Sequence, residues 1–245
     1  MQLNHRIIPQ RNINLRFNLN DTPQYLDLNG KNQLLENVYF SGLQNHYMDA
    51  HIILNGKVDM LGICFFSYGF FPFLNIPVSE FTNQFLGADE VGLKTAIKIS
   101  ERLKGAADVL SRLDILESEL VLLLYKSKKE TPESFRQIFN AHRQSNSSLL
   151  ISEFCRQNNI CLRTLERMYN KYVGVSAMTF FTLSRFQNGL YKLLYNDYSK
   201  LSDIAYCSGY FDQMHFIKEF KHFAGNTPNS FVKQNNSILN IGKLT

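Results

Sequence analysis

The hydrophobic pattern of the first 80 residues is mainly that of strands and turns; from about Pro77 it changes to the period of a helix. Ile13-Asn-Leu-Arg-Phe-Asn-Leu puts Ile13, Leu15, Phe17 and Leu19 on one side of an extended chain, which predicts a half-buried strand. Asn29-Gly30 and Asn55-Gly56 tolerate the positive φ angles of tight hairpin turns, and the second predicts pairing of residues 51–54 with 57–60. Residues 58–66 are apolar enough for a buried strand. After Pro77, Val78-Ser-Glu-Phe predicts a short helix capped by Ser79, and residues 88–103 and 106–127 predict two longer ones. In the last of these, Leu110, Leu113, Leu116, Leu120, Leu123 and Leu124 recur on one side. Such a stripe packs on the strands or on a second copy of the chain, and the pattern leaves both open. Lys126-Ser-Lys-Lys-Glu-Thr-Pro is a polar linker, and Pro132 opens a helix to about residue 143. Gln144-Ser-Asn-Ser-Ser is the most loop-like stretch, so a boundary is expected there, between a domain at 1–143 (strands to about 77) and one at 144–245.

The second domain contains one stretch written twice. Residues 163–180 align without a gap on residues 214–231: Gly174 falls on Gly225, Ser176 on Thr227 and Phe180 on Phe231, while Leu165, Tyr169 and Tyr172 fall on Phe216, Phe220 and Phe223. Each copy predicts a helix, a glycine stop and a fresh helix start. Helices are expected at 149–158, from Cys161 to about 173, at 177–195, at 202–208 and at 212–224, with Ser176 and Thr227-Pro228 as starts. Cys155 matches Ala205 at an offset of 50 and Leu165 matches Phe216 at 51, so the second turn is one residue longer than the first. Small residues at 155 and 205 suit two helices crossing closely at a tight turn. In the first unit Arg163, Glu166, Arg167 and Asn170 lie opposite the apolar row. In the second the corresponding surface is Gln213, Met214, Ile217, Lys218 and Lys221, with His215 readable either as a packed residue or as a contact. Two such helices on one body fit successive major-groove faces of a DNA duplex. Arg suits guanine edges, Lys suits phosphates, and Met or Ile can only touch thymine methyls, so base readout by the second helix should be the weaker of the two.

Charge agrees with this division. Residues 1–144 carry 15 Lys and Arg against 15 Asp and Glu, whereas residues 145–245 carry 11 against 6, so the whole excess of +5 lies in the second part. No apolar run is long enough for a membrane span and the N-terminus lacks a signal pattern, which leads us to expect a cytoplasmic protein without a membrane partner. Cys64, Cys155, Cys161 and Cys207 show no ligand spacing and are expected as buried free thiols. His46 and His51 lack a third ligand at metal spacing, and no nucleophile elbow, P-loop or dinucleotide fingerprint occurs. No catalytic residue, metal or cofactor is therefore expected.

Arg163-Thr-Leu-Glu-Arg, Val173-Gly-Val-Ser, Ser184-Arg-Phe-Gln, Ile204-Ala-Tyr-Cys-Ser-Gly-Tyr-Phe-Asp-Gln-Met-His-Phe and Phe220-Lys-His-Phe-Ala-Gly-Asn-Thr-Pro-Asn-Ser-Phe together cover residues 149–234. This stretch resembles the double helix-turn-helix domain of AraC-type bacterial transcription regulators. The resemblance implies seven helices, two of them recognition helices bridged by residues 177–195. It places base contacts at Arg163, Glu166, Arg167, Gln213, Met214, His215 and Lys218. Asn170 and Lys221 join this DNA-binding set from the residue pattern. Three positions depart from the family pattern. Cys161 stands where a capping Ser is usual, at a cost of ~1 kcal/mol, Phe211 where a small polar residue is common, and Ala177 where Pro is usual. The N-terminal stretches from Gly42 to Phe66, Gly69-Phe-Phe and Ile76-Pro-Val-Ser-Glu-Phe are similar to a sensor-like domain found ahead of some such modules. That likeness implies a small barrel-like fold, then helices, in a ligand-binding or dimerising part. Phe65, Phe66, Tyr68, Phe70, Phe71 and Phe73 line an effector pocket or fill the core.

The expected class is α+β: a β-rich, barrel- or cupin-like N-terminal domain with helices, then an all-α tandem helix-turn-helix domain. The expected function is that of a sequence-specific transcription regulator, not an enzyme. Double-stranded DNA and RNA polymerase are its partners, joined by a small-molecule effector and a second copy of the chain. A cupin-like enzyme and a nucleoid-type DNA binder are the alternatives.

Overall fold

The computed structural model describes residues 2–74, 76–145, 149–195 and 200–235; of the loop expected at 144–148, residues 146–148 lie outside this set. Strands β1 (Gln2–Arg6), β2 (Ile13–Asn18), β3 (Gln24–Leu28), β4 (Lys31–Leu35), β5 (Val38–Ser41), β6 (Ala50–Asn55), β7 (Met60–Phe65) and β8 (Phe85–Gly87) come first. They form two four-stranded antiparallel sheets, ordered β1-β6-β3-β4 and β7-β2-β5-β8. Helices follow: α1 (Lys94–Lys104), α2 (Val109–Lys126), α3 (Glu133–Gln144), α4 (Ile151–Gln157), α5 (Leu162–Tyr172), α6 (Ala177–Tyr195), α7 (Leu201–Cys207), α8 (Gln213–Ala224) and α9 (Pro228–Asn235).

The two Asn-Gly pairs part company. Leu28 pairs with Lys31 around Asn29 (φ 54) and Gly30 (φ 78), the two-residue turn expected. Asn55-Gly56 does not close a hairpin. β6 is already bonded on both edges, by β1 and β3, so the chain crosses at Gly56 (φ 67) to the other sheet, where β7 pairs with β2. Residues 58–66 accordingly give an edge strand rather than a buried one, with Leu61, Ile63 and Phe65 partly covered and Val58 and Phe66 exposed. Ser79 lies inside the 3₁₀ turn Val78–Phe81, which Pro77 opens, and caps nothing. α1 starts later than residue 88 because Gly92 (φ 71) interrupts the run, and α2 starts at Val109, where Asp108 accepts from the Ser111 amide at 2.8 Å.

The leucine stripe of α2 splits. Leu116, Leu120 and Leu123, spaced i, i+4, i+7, pack on the core of the second sheet, whereas Leu110, Leu113 and Leu124 stay exposed. That core holds Ile13, Leu15, Phe17 and Phe40 of the strands with Phe70 and Phe81. The aromatic run after β7 also divides: Phe65, Phe70 and Phe73 stack within this core, while Tyr68 and Phe71 reach into the helical half, against Phe139 (ring centroids 4.8 Å) and Tyr172 (5.0 Å). These side chains fill space and join the two halves.

Among the described residues, α3 to α9 make up the helical half; six of them, α4 to α9, answer to the stretch for which seven were implied, and Phe135 and Phe139 of α3 are buried in its core beside Tyr169 and Phe180. The packing therefore runs through the boundary expected at residue 144. The cysteines also differ from expectation: only Cys155 is buried, and Cys64, Cys161 and Cys207 sit on an edge strand, a helix cap and a helix end.

α3 also buries His142, whose Nδ1 lies 2.8 Å from the Tyr169 hydroxyl and whose ring stacks on Phe181 at 3.7 Å. Desolvation first, then the nearby Arg11, pull its pKa down to about 3. The folded state thus binds the proton more weakly than the unfolded one. Its full contribution is present above the unfolded value of about 6.5 and is lost as pH falls. We expect a loss of about 2 kcal/mol between pH 7 and 5. Urea unfolding at the two pH values checks it: His142→Gln should flatten the dependence, and an equally steep slope in that variant assigns it elsewhere.

Candidate nucleic-acid interface

Both copies of the duplicated unit are built on the same backbone requirements. In each, a short helix ends in a left-handed residue, Asn159 (φ 50) or Gly209 (φ 82), and the chain turns into a longer helix. That helix stops at a second left-handed residue, Gly174 (φ 87) or Gly225 (φ 73). The next helix then starts on a hydroxyl: Ser176 accepts from the Thr179 amide at 3.0 Å and Thr227 from the Ser230 amide at 3.4 Å. The buried row Leu165, Tyr169, Tyr172 matches Phe216, Phe220, Phe223, as the repeat predicts.

With those rows inside, the outer face of α5 carries Arg163, Arg167 and Asn170, all exposed, and the outer face of α8 carries Met214, Lys218 and Lys221, displaced by 51 residues. Gln213 at the first turn of α8 is exposed as well. Among the described residues, none of these four cations has an ion pair, whereas Arg156 and Arg185 are held by Glu153 and Glu219. His215 is half-exposed and leans along its own helix, 3.7 Å from Glu219 and edge-on to the Tyr210 ring.

Glu166 is the exception in the predicted set. Its carboxylate accepts from the backbone amides of Ala177 at 2.7 Å and Met178 at 3.2 Å, so it caps α6 instead of facing outward. The anion is held at the positive end of the bridging helix, which fixes the angle between α5 and α6. A base contact at Glu166 is therefore corrected to a positioning role. The signal was Ala177: where the family pattern has a proline with no N–H, this chain has a donor that needs an acceptor.

Two residues that place the second unit escaped the sequence reading. Arg185 of α6 bonds Glu219 of α8 through both ends of its guanidinium (3.1 and 2.6 Å) and lies over the Tyr210 ring. Gly189 lets α6 approach α8 so closely that a Cβ there would lie 3.0 Å from Phe216.

The N-terminal half touches both helix stops. A Cβ at Gly174 would come within 2.8 Å of the Val78–Ser79 backbone, and the Thr82 hydroxyl donates to the Gly174 carbonyl at 3.2 Å. At the other stop, Arg6 donates to the Ala224 carbonyl at 2.7 Å, and the Tyr47 amide donates to the His222 carbonyl at 3.2 Å. The Tyr47 ring lies where a Gly225 Cβ would be. An open groove of about 830 Å³ runs between residues 45–47 and helices α6 and α8, with Lys221 and His222 on its wall. Among the described residues, no group of three or more His, Cys, Asp or Glu is gathered as for a metal, and no helix is long and apolar enough to cross a membrane.

Duplicated short-helix–turn–long-helix units with basic outer faces define the class: a tandem helix-turn-helix DNA-binding module behind a two-sheet domain. Residues 154–234 match the helix-turn-helix domain family and are an AraC-type domain. Residues 1–87 match a family described as a domain of unknown function (DUF6597). The chain is 29% identical over 93 residues to the Msm operon regulatory protein of Streptococcus mutans, which covers 38% of this chain and about a third (33%) of that relative. ToxT from Vibrio cholerae O395 shares the fold along almost the whole length, 97% of this chain and 95% of that one, with a TM-score of 0.50 at 9% identity.

Proposed function

We propose that the chain is a sequence-specific transcription regulator that lays α5 and α8 in successive major-groove segments and is controlled from its N-terminal half. The observation that carries this is the repeat itself. Two equivalent helices, fixed to one bridging helix by Glu166 and by Arg185–Glu219, present Arg163, Arg167, Lys218 and Lys221 outward without ion-pair partners among the described residues. Arg163, Arg167 and Gln213 read base edges, Asn170 and Lys221 hold the backbone, and Met214 and Lys218 supply a weaker, apolar-tinged readout in the second groove. The protein acts on chromosomal DNA in the cytoplasm, together with RNA polymerase.

Control follows from the two helix stops. A small molecule in the groove beside Tyr47, or a second copy packed on the exposed Val121, Leu122 and Tyr125 of α2, would move segments that touch Gly174 and Gly225 and so change how the two helices are presented. A ToxT structure holds (E)-4-(8-methylnaphthalen-1-yl)but-3-enoic acid, so a small organic molecule is within the means of this fold.

The test separates base contacts from positioning contacts. Arg167→Ala should cost about 1–3 kcal/mol on the preferred duplex and relax preference at one base pair, whereas Lys221→Ala should weaken preferred and scrambled duplexes alike. Identical behaviour of the two variants would remove the assignment of faces.

A further inference from the structure

Phe211 has no counterpart in the first unit. The amide of Ile160 bonds the Cys155 carbonyl at 3.0 Å, and the amide of Tyr210 bonds the Ala205 carbonyl at 3.0 Å, so Ile160 and Tyr210 occupy the same place in their turns. Both point inward, Ile160 packed against the core and Tyr210 buried. In the first unit the next residue, Cys161, already holds the N-cap position of α5, without a side-chain cap bond; in the second, Phe211 intervenes before Asp212 caps α8 by accepting from the His215 amide at 2.7 Å. The extra residue of the second turn is therefore Phe211, and its ring is 85% exposed. Three residues on, Met214 is 70% exposed where the first unit has Arg163.

An exposed phenylalanine gains little from the fold, and among the described residues no ring or cation contact holds Phe211. Its position says what covers it. The N-terminal end of a recognition helix is the part that meets base edges, and further along the same helix Lys218 and, in the last turn, Lys221 are exposed cations that suit a polyanion. The apolar group that a major groove offers is the C5-methyl of thymine.

Resting on the DNA-binding function above, we propose that Phe211 is a specificity residue of the second unit, packing with Met214 against a thymine methyl at the edge of the α8 half-site. The inserted residue turns a turn that is structural in the first unit into a reading element in the second.

Deoxyuridine lacks only that methyl, so the test leaves the protein intact. A duplex is selected from a random pool with the full chain, and each thymine under the second unit is replaced in turn by deoxyuridine. At one thymine the unaltered chain should lose about fourfold in affinity, the worth of one buried methyl. Phe211→Ala should bind the thymine duplex more weakly by a similar factor and lose nothing further with deoxyuridine, while Phe211→Leu should keep part of the discrimination. No deoxyuridine effect at any position, a selected half-site without thymine, or the same effect in Phe211→Ala overturns the proposal. An equal loss in Phe211→Ala on every duplex does so too, because it makes the ring a backbone or partner-protein contact. Failure to select any duplex would instead remove the DNA-binding function on which the proposal stands.

Discussion

Raising the salt from about 50 to about 200 mM should weaken binding of the intact chain to its preferred duplex about tenfold. With Arg163, Arg167 and Lys218 turned to base edges, Lys171 and Lys221 are the exposed cations on the two outward helices left for the backbone, and each phosphate that they neutralise releases condensed counterions. Two contacts give a log–log slope of about −1.8, since each contributes roughly −0.9. Arg156 and Arg185 are left out of this set because Glu153 and Glu219 already hold them. Titration of a labelled duplex at a series of salt concentrations reads the slope directly. A slope near zero would mean that these cations never meet phosphate, and the interface would have to lie elsewhere.

The second large effect concerns where the helical half begins. A fragment of residues 145–245 should be mostly unfolded at room temperature, whereas one of residues 131–245 should melt cooperatively. The shorter piece lacks Phe135 and Phe139, which are 0% and 2% exposed and pack edge-on and stacked against Tyr169 of the first recognition helix. Losing one such ring from a core costs about 3–5 kcal/mol. Two of them consume much of the roughly 5–15 kcal/mol that holds a domain together. Thermal unfolding followed by circular dichroism compares the fragments. Equal stability would show that α3 is an appendage and that the break at residue 144 is real.

What was legible in the chain was what the backbone demands locally. Left-handed stops at Gly174 and Gly225, hydroxyl starts at Ser176 and Thr227, and the row Leu165, Tyr169, Tyr172 with its repeat each rest on residues a few positions apart, so sequence alone sufficed. What was not legible depends on partners far away in the chain. Asn55-Gly56 has the composition of a hairpin turn, yet β6 finds both its neighbours elsewhere, and no local signal records that both edges are taken. The leucines of α2 look like one stripe until the sheet covers only half of it. Glu166 reads as an outward residue by helical spacing alone, and only the start of α6, eleven residues on, shows what draws it inward. The extra residue of the second turn was countable from the offsets, but its identity as Phe211 needed the matching turn hydrogen bonds.

The central claim is that the two outward helices read sequence, beyond binding polyanions. The most direct measurement is the ratio of dissociation constants of the intact chain for its selected duplex and for a scrambled duplex of the same composition, taken across salt concentrations. A ratio of at least about 10³ is expected to persist as both affinities fall together, with base changes under the Arg163 and Arg167 half-site eroding it more than changes one turn away. A ratio near one at every salt concentration would contradict it and make the chain a nonspecific binder.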